Sequence, residues 1–278
     1  MIGASPESSA LLECVPNFSE GRRAGVVDGI VAQMRAVAGA AVLDVEMDAS
    51  HNRAVVTMAG PPPAVAEAAF RAVSQAARLI DMDAHRGQHP RIGATDVVPL
   101  VPLRGLSMDE CVGLARALGR RIGEELEIPV YLYGEAALRP ERRDLPALRR
   151  GEYEGLRDEI VWNADRRPDF GPARLGKAGA TAVGARRPLI AFNVNLASRD
   201  LRAARAIARE VRESSGGLPA VRAMGVDLPE LAAVQVSMNL TDFTRTSMLD
   251  AFRAVETAAA ARGIAVLHGE VVGLVPQQ

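Results

Sequence analysis

The sequence has few of the residues that build disulfides, metal sites or nucleic-acid surfaces. Only two of its 278 residues are cysteine, four are histidine, and aromatic residues make up 4%. Cys14 and Cys111 show no CxxC or Cys/His metal spacing, so we expect two buried, reduced thiols. The formal net charge of −1 leaves no basic footprint for nucleic acid.

Long apolar segments are also missing. No run approaches the roughly 20 residues that a membrane helix needs, and residues 1–10 lack the basic and apolar regions of a signal peptide. We therefore predict a cytoplasmic protein with a disordered tail over residues 1–10. The remaining composition is that of an ordinary globular protein, with 48% hydrophobic and 24% charged residues, and the length suits one or two domains.

Hydrophobic periodicity predicts the order β-α-β-β-α-β twice along the chain. In the first half, the pattern places strands at 11–16, 41–45, 53–59 and 95–103 and helices at 22–37 and 61–81. A helix at 108–126, a strand at 130–133 and a charged excursion at 138–168 follow. In the second half, it places strands at 189–196, 221–228, 233–240 and 264–275 and helices at 200–213 and 244–261. Pro99 and Pro102 predict an edge position or a bulge for strand 95–103.

The fold class that follows is α+β, with two ferredoxin-like (βαββαβ) subdomains over residues 11–186 and 187–278. If helices cover one face of each sheet, the other faces can meet across a central cleft. Ligand sites often lie at such a place.

Two of the four histidines, His85 and His89, lie in one loop with Arg86, Gly87 and Arg91. The spacing resembles a zinc-binding HxxxH, but Gly87 and the proline after His89 interrupt the helix that such a site needs, so we expect no metal. Imidazole is the side chain whose pKa suits proton transfer near pH 7. A proton-transfer role and a helix-capping role beside surface arginines fit these residues equally well.

A second polar cluster precedes this loop. Strand alternation puts Asp44 and Glu46 on one face, where a carboxylate can orient an imidazole. Arg53 begins the next strand and is well placed to hold a ligand carboxylate. Asp48 and His51, between the two strands, are more typical of a solvated hairpin turn.

A glycine-rich segment with interleaved cations runs over residues 168–187. It matches neither a P-loop nor GxGxxG, so a flexible interdomain loop and a loop that wraps an extended anion both remain open. Asn193 and Asn195 alternate along a strand, and Asn239 ends another; a structural role and recognition of a heterocycle are both possible for such amides. The residues alone indicate a two-part α/β protein with a His/Arg-lined cleft for an anionic small molecule.

Several stretches together resemble the formiminotransferase domain of formimidoyltransferase-cyclodeaminase and its stand-alone bacterial relatives. They are CVPNFSEGR (14–22), SHNRAVVTMAGPP (50–62), RLIDMDAHRGQHPRIGATDVVPLVP (78–102), IPVYLYGEAA (128–137), GEYEGL (151–156), PDFGP (168–172), GATAVGAR (179–186), LIAFNVNL (189–196) and LVP (274–276). They are collinear and cover nearly the whole chain from about residue 11.

The resemblance implies a folate channel between the two subdomains and a catalytic His89. It also implies transfer of the formimino group from N-formimino-L-glutamate to N5 of tetrahydrofolate. The family's folate-binding stretch maps to the glycine-rich segment, where the expected cofactor-binding residues are Gly171, Pro172, Arg174, Lys177 and Gly179.

For this reaction we expect His89 to accept a proton from N5 and to return it to the leaving nitrogen, with Glu46 as its orienting carboxylate. Arg53 and Arg91 are the predicted partners of substrate carboxylates, and no metal is required. Transfer of a formyl group from N-formylglutamate, and a non-catalytic folate-binding sensor, remain open as other functions.

The partners expected from the resemblance are small molecules and a second copy of the chain in a homodimer. No nucleic acid or membrane partner is expected. The cyclodeaminase half of the bifunctional enzyme is not in this sequence, so a separate cyclodeaminase is expected to use the product.

Overall fold

The computed structural model describes residues 10–49, 51–87, 90–273 and 275, apart from the side chain of Glu230. The predicted tail therefore lies almost wholly outside the described residues. The chain divides between Arg186 and Arg187 into two compact units, here called unit 1 and unit 2. Each unit contains one β-sheet and its own helices, which confirms the α+β class with two ferredoxin-like subdomains.

Unit 1 is built on a mixed sheet. Its strands are β1 (Leu11–Cys14), β2 (Asn17–Phe18), β3 (Ala41–Asp48), β4 (Arg53–Gly60), β5 (Thr95–Arg104), β6 (Val130–Gly134) and β7 (Thr181–Ala185). Its helices are α1 (Ala24–Arg35), α2 (Pro62–Leu79), α3 (Met108–Glu125), α4 (Leu145–Leu148) and α5 (Glu152–Glu159). The run β3, β4, β1 with β2, and β5 is the antiparallel ferredoxin-like order, and β7 and β6 extend it by parallel pairing.

The position of β5 decides between the two alternatives predicted for it. This strand lies inside the sheet, between β1–β2 and β7, so the predicted edge position is wrong. The predicted bulge is present, because the register shifts between Leu11, which pairs with Arg104, and Leu12, which pairs with Pro102. The extra residue, Leu103, lets the strand carry its prolines without leaving the sheet.

Strand β7 corrects a prediction, because residues 181–185 lie in the segment that the sequence predicts to be a glycine-rich loop. All five residues of β7 are buried between β5 and β6. A strand that is buried on both faces shows no alternation of polar and apolar residues, and Gly184 adds the appearance of a loop.

The two faces of this sheet are covered differently. Helices α1, α2 and α3 pack on one face, where Ser107 and Glu110 form a capping box that starts α3. The charged excursion covers part of the other face with α4 and α5, whose Leu148 and Leu156 pack against Tyr131. The rest of this second face, over β1 to β4, carries the polar residues considered below.

Unit 2 is a plain ferredoxin-like fold. Its strands are β8 (Ile190–Leu196), β9 (Val221–Leu228), β10 (Ala233–Leu240) and β11 (Val266–Val272), and its helices are α6 (Leu201–Val211) and α7 (Met248–Ala260). The antiparallel order is β11-β8-β10-β9. Phe192 and Val194 of β8 face the helices, so Asn193 and Asn195 face away from them.

Candidate active site

Three segments of unit 1 meet at Asn52, in the turn between β3 and β4. Its side-chain oxygen accepts a hydrogen bond from the N–H of Gly21 (2.9 Å), and its side-chain nitrogen donates to the carbonyl of Arg86 (2.9 Å). Its φ of 50° lies in the left-handed region, which asparagine tolerates. Asn52 was not among the predicted site residues, although an asparagine in a hairpin turn is a signal for such a conformation.

Two glycines bring these segments into contact. A Cβ on Gly87 would lie 2.3 Å from the carbonyl oxygen of His51, and one on Gly21 would lie 2.1 Å from that of Asp48. Only glycine permits backbones to approach this closely. The histidine loop is therefore held against the β3–β4 turn by its main chain.

His85 is buried in this loop, and both of its ring nitrogens are occupied. Nε2 donates to the carbonyl oxygen of Asn52 (3.0 Å), and Nδ1 accepts from Nε of Arg91 (3.2 Å). Burial lowers the pKa of this imidazole by more than the hydrogen bond to Asn52 raises it. His85 is therefore a neutral structural group, which leaves the proton-transfer prediction on His89.

The guanidinium group of Arg91 is hydrogen bonded to other residues of the protein. Nη1 donates to Glu152 (2.7 Å) and Glu154 (2.8 Å), Nη2 donates to Glu154 (2.7 Å), and Nε donates to His85. Burial lowers the pKa of Arg91, but its bonds to Glu154 and the charge of Glu152 outweigh this and raise it. These bonds use four of the five guanidinium donors, so the geometry does not support the predicted contact with a substrate carboxylate.

His89 lies outside the described residues, so its catalytic role stays a prediction. The chain is fixed on either side of it. Gly87 lies against the carbonyl of His51, and the carbonyl of Arg91 accepts a hydrogen bond from the N–H of Tyr153 (2.8 Å). Main-chain contacts therefore set where the loop leaves and rejoins the fold.

Glu46 and Arg53 share the face of the sheet that α1, α2 and α3 leave open. Glu46 pairs with Val55, two positions along β4 from Arg53, so alternation puts all three side chains on one side. Nη1 of Arg53 donates to the side-chain oxygen of Asn17 at 3.4 Å. The structure thus brings a carboxylate and a guanidinium to the same face.

Arg149, after α4, brings a second guanidinium close to Arg53. Its Nη2 bonds to the buried carboxylate of Asp96, which also accepts the N–H of Ile92 (2.9 Å). Burial, and then the charge of Arg149, lowers the pKa of Arg53, although nearby carboxylates raise it in part. Nothing in the sequence singles out Arg149, because it lies among many arginines of the charged excursion.

The pair Asp48 and His51 is a second titratable group beside the loop. Nδ1 of His51 lies 2.5 Å from Oδ2 of Asp48, and the same carboxylate accepts the His51 N–H (2.9 Å). The side chains of His51 and Asp48 are 39% and 44% exposed, as a solvated turn predicts. The carboxylate nevertheless fixes the orientation of the ring.

The predicted folate-binding stretch runs beside the histidine loop. The carbonyl of Lys177 accepts the N–H of Met82 (2.8 Å), and its ammonium group pairs with Asp81 (3.0 Å). Gly179 has a φ of 69°, and a Cβ there would lie 2.5 Å from the carbonyl oxygen of Ile92. The two segments that carry the predicted catalytic and folate-binding residues are therefore hydrogen bonded to each other.

A pocket of about 370 Å³ opens on this stretch and is lined by four of the five predicted folate-binding residues, Pro172, Arg174, Lys177 and Gly179. The fifth, Gly171, adjoins the pocket with a φ of 80°, and a Cβ there would lie 2.5 Å from the carbonyl oxygen of Ile128. The pocket therefore combines two exposed cations with a tightly turned backbone.

Both cysteines are free and buried, as predicted. Burial raises the pKa of Cys14 and raises that of Cys111 to about 11. Across the described ranges, no three His, Cys, Asp or Glu side chains are grouped closely enough to hold a metal ion. In the same part of the chain, no helix has the length and apolar character to span a membrane.

Comparison with known proteins agrees with the resemblance noted in the sequence. The formiminotransferase domain, N-terminal subdomain, matches residues 11–186, and the formiminotransferase domain matches residues 191–278. A glutamate formimidoyltransferase of Thermoplasma acidophilum is 48% identical over 271 residues, which are 97% of this chain and 89% of that protein. One of Streptococcus pyogenes is 43% identical over 96% of this chain and 89% of that protein.

A bifunctional relative matches over part of its length. The formimidoyltransferase-cyclodeaminase of Mus musculus is 46% identical over 275 residues, which are 96% of this chain and 50% of that protein. Two matched subdomains and full-length relatives lead to one conclusion: this chain belongs to the formiminotransferase family.

Proposed function

We propose that this protein transfers the formimino group of N-formimino-L-glutamate to N5 of tetrahydrofolate, which gives 5-formiminotetrahydrofolate and glutamate. One observation carries the proposal: 48% identity to a glutamate formimidoyltransferase over 97% of the chain. Tetrahydrofolate acts here as a co-substrate that leaves with the transferred group.

The reaction exchanges one carbon–nitrogen bond for another. N5 attacks the amidine carbon, a tetrahedral centre forms, and the bond to the glutamate nitrogen breaks. N5 loses one proton and the leaving nitrogen gains one, so a single imidazole can serve both steps. We assign this transfer to His89, because both nitrogens of the other loop histidine, His85, are already hydrogen bonded within the protein.

Glu46 and Arg53 have separate roles in this proposal. Glu46 orients the imidazole of His89 and stabilises its protonated form, as a triad carboxylate does. Arg53 binds a carboxylate of formiminoglutamate. Glu46 and Arg53 lie on the same open face of the sheet, which supports their acting at one site. Two substrates held for direct transfer gain much of their rate from proximity.

The glycine-rich stretch binds the folate. Arg174 and Lys177 are exposed cations at one pocket, and they suit the carboxylates of the folate's glutamate tail. Gly171, Pro172 and Gly179 shape the backbone so that an extended ligand can lie close to it. Arg91 is reassigned from substrate binding to positioning of the loop.

An assay with formiminoglutamate and tetrahydrofolate tests the reaction and the role of His89. We expect the wild type to turn over and His89→Ala to lose about 100-fold or more in kcat, with partial rescue by added imidazole. His51→Ala serves as the comparison, because its ring is also held by a carboxylate. Loss in His51→Ala and not in His89→Ala would move the proton transfer to His51. Folate binding without turnover in the wild type would contradict the proposed reaction.

A homodimer and a cytoplasmic location also belong to this proposal and rest on the sequence. Sedimentation of the purified protein tests the first, and a mass of one chain at micromolar concentration would contradict it. Fractionation of cells that express the chain tests the second.

A further inference from the structure

The helix-free face of the sheet in unit 2 carries a row of polar side chains. They are Asn193 and Asn195 on β8, Gln235 opposite Asn195 on β10, and His268 and Glu270 on β11. The register puts all five on the face away from α6 and α7, because Phe192 and Val194, which alternate with the asparagines, pack into the core.

A chain of hydrogen bonds joins these five residues. Asn195 donates to Nε2 of His268 (2.8 Å), and Gln235 donates both to the oxygen of Asn195 (2.8 Å) and to Oε2 of Glu270 (3.4 Å). Asn193 donates to the same oxygen of Glu270 (3.4 Å). Asn195 and Gln235 are 3% and 8% exposed. Buried amides therefore hold the exposed outer members, His268 and Glu270, in place.

The row presents mainly hydrogen-bond acceptors. Both amide donors reach Oε2 of Glu270, and within the described part of the chain nothing donates to Oε1 and no cation pairs with this carboxylate. A carboxylate fixed in this way is suited to two parallel N–H groups, which it accepts as a fork.

We propose that Glu270, oriented by Asn193 and Gln235, binds the amidine edge of a substrate, meaning two N–H groups on one carbon. This inference rests on the proposed function, whose two substrates both carry such an edge. The reduced pterin ring has it at the 2-amino group and N3–H, and the donor has it in its formamidine. The carboxylates of either substrate would be repelled from the same place, so the row also fixes which end of a substrate it accepts.

Two substitutions at Glu270 separate charge from shape. Glu270→Ala removes the carboxylate, and Glu270→Gln keeps the shape but adds an N–H donor that opposes the ligand's own. We expect each substitution to weaken the binding of one substrate by about 10-fold to 100-fold, which is the range for a charge-assisted hydrogen bond. The readouts are the Kd of tetrahydrofolate by anaerobic calorimetry and the KM of each substrate. Glu256→Gln, an exposed change on α7, is the matched control and should match the wild type.

The arms of the experiment identify the source of the amidine edge. Weaker tetrahydrofolate binding would show that Glu270 binds the pterin. A raised KM for formiminoglutamate would show that it binds the formamidine. Ligand variants then close a double-mutant cycle. A tetrahydrofolate without its 2-amino group, or N-formylglutamate as an inhibitor, should bind more weakly than its parent to the wild type but equally to Glu270→Ala.

The inference is overturned if the affinities of Glu270→Ala for both substrates lie within about twofold of the wild-type values, because mutations at unrelated sites vary by that much. Its failure and that of the proposed function are distinguishable. A wild type that turns over while Glu270 variants bind normally removes only this site. A wild type without turnover whose tetrahydrofolate Kd depends on Glu270 keeps the site and removes the reaction.

Discussion

Replacing Arg91 by methionine distinguishes an arginine that holds the loop from one that binds substrate. Methionine keeps a long unbranched side chain but removes the hydrogen bonds to His85, Glu152 and Glu154. Arg91 follows His89 by two positions, so a shift of the loop would reach the proposed proton-transfer residue. The expected result is lower stability together with lower turnover.

The size of the effect follows from burial. Breaking an ion pair costs roughly 3–5 kcal/mol when both partners are buried, and the side chain of Arg91 is 6% exposed. Glu152 and Glu154 are 42% and 50% exposed, so their carboxylates stay hydrated after the loss. We therefore expect Arg91→Met to lower the free energy of unfolding by about 2–3 kcal/mol. Part of this loss arises because the buried Nδ1 of His85 no longer has a hydrogen-bond donor. In a unit of this size that lowers the Tm by roughly 4–12 °C.

Thermal unfolding by circular dichroism and steady-state kinetics measure the two effects. If Arg91 positions the loop, kcat falls and the KM for formiminoglutamate changes little. Arg143→Met is the control, because its side chain is 64% exposed and the expected change is within about 0.5 kcal/mol. An unchanged Tm with a KM raised tenfold or more would refute the positioning role and restore Arg91 to substrate binding.

Two further predictions concern the loop and the stretch beside it. The lowered pKa of His85 means that the unfolded chain binds its proton more readily, so stability is complete above about pH 6.5 and is lost as pH falls toward the folded pKa. The free energy of unfolding, measured in urea, should fall from about pH 7.5 to about pH 5 in the wild type and fall less steeply in His85→Asn. Equal slopes in the two proteins would contradict the lowered pKa of His85. Gly179→Ala places a Cβ 2.5 Å from the carbonyl of Ile92 at a φ of 69° and should cost about 1–3 kcal/mol. A Cβ on Gly176 would have no atom within 4 Å, so Gly176→Ala should unfold at the wild-type temperature. Equal losses of stability in Gly179→Ala and Gly176→Ala would contradict this account of the packing.

Most of the fold is predictable because periodicity records which side of an element is buried. Val65, Ala69, Ala72 and Ala76 of α2 recur at helical spacing and are all buried. Strands β9 and β10 of unit 2 alternate in the same informative way. The signal disappears in β7, where both faces are covered, and no periodicity can then separate a strand from a loop.

The site is less predictable because residue type does not reveal whether a side chain is already engaged. Arg53 and Arg91 look equivalent in the sequence. The difference arises from Glu152, 61 residues further along the chain, which only the fold brings to Arg91. The engagement of His85 is hidden for the same reason, since the hydrogen bonds to both of its ring nitrogens come from the β3–β4 turn and from Arg91.

The open faces of the two sheets carry different chemistry, although the units share one fold. Unit 1 presents Arg53 and Arg149, which suit carboxylates. Unit 2 presents Glu270 and amide oxygens, which suit N–H groups. Each substrate of the proposed reaction is carboxylate-rich at one end and N–H-rich at the other. The Glu270 row therefore discriminates between the two ends of such a molecule, because it binds the N–H groups and repels the carboxylates.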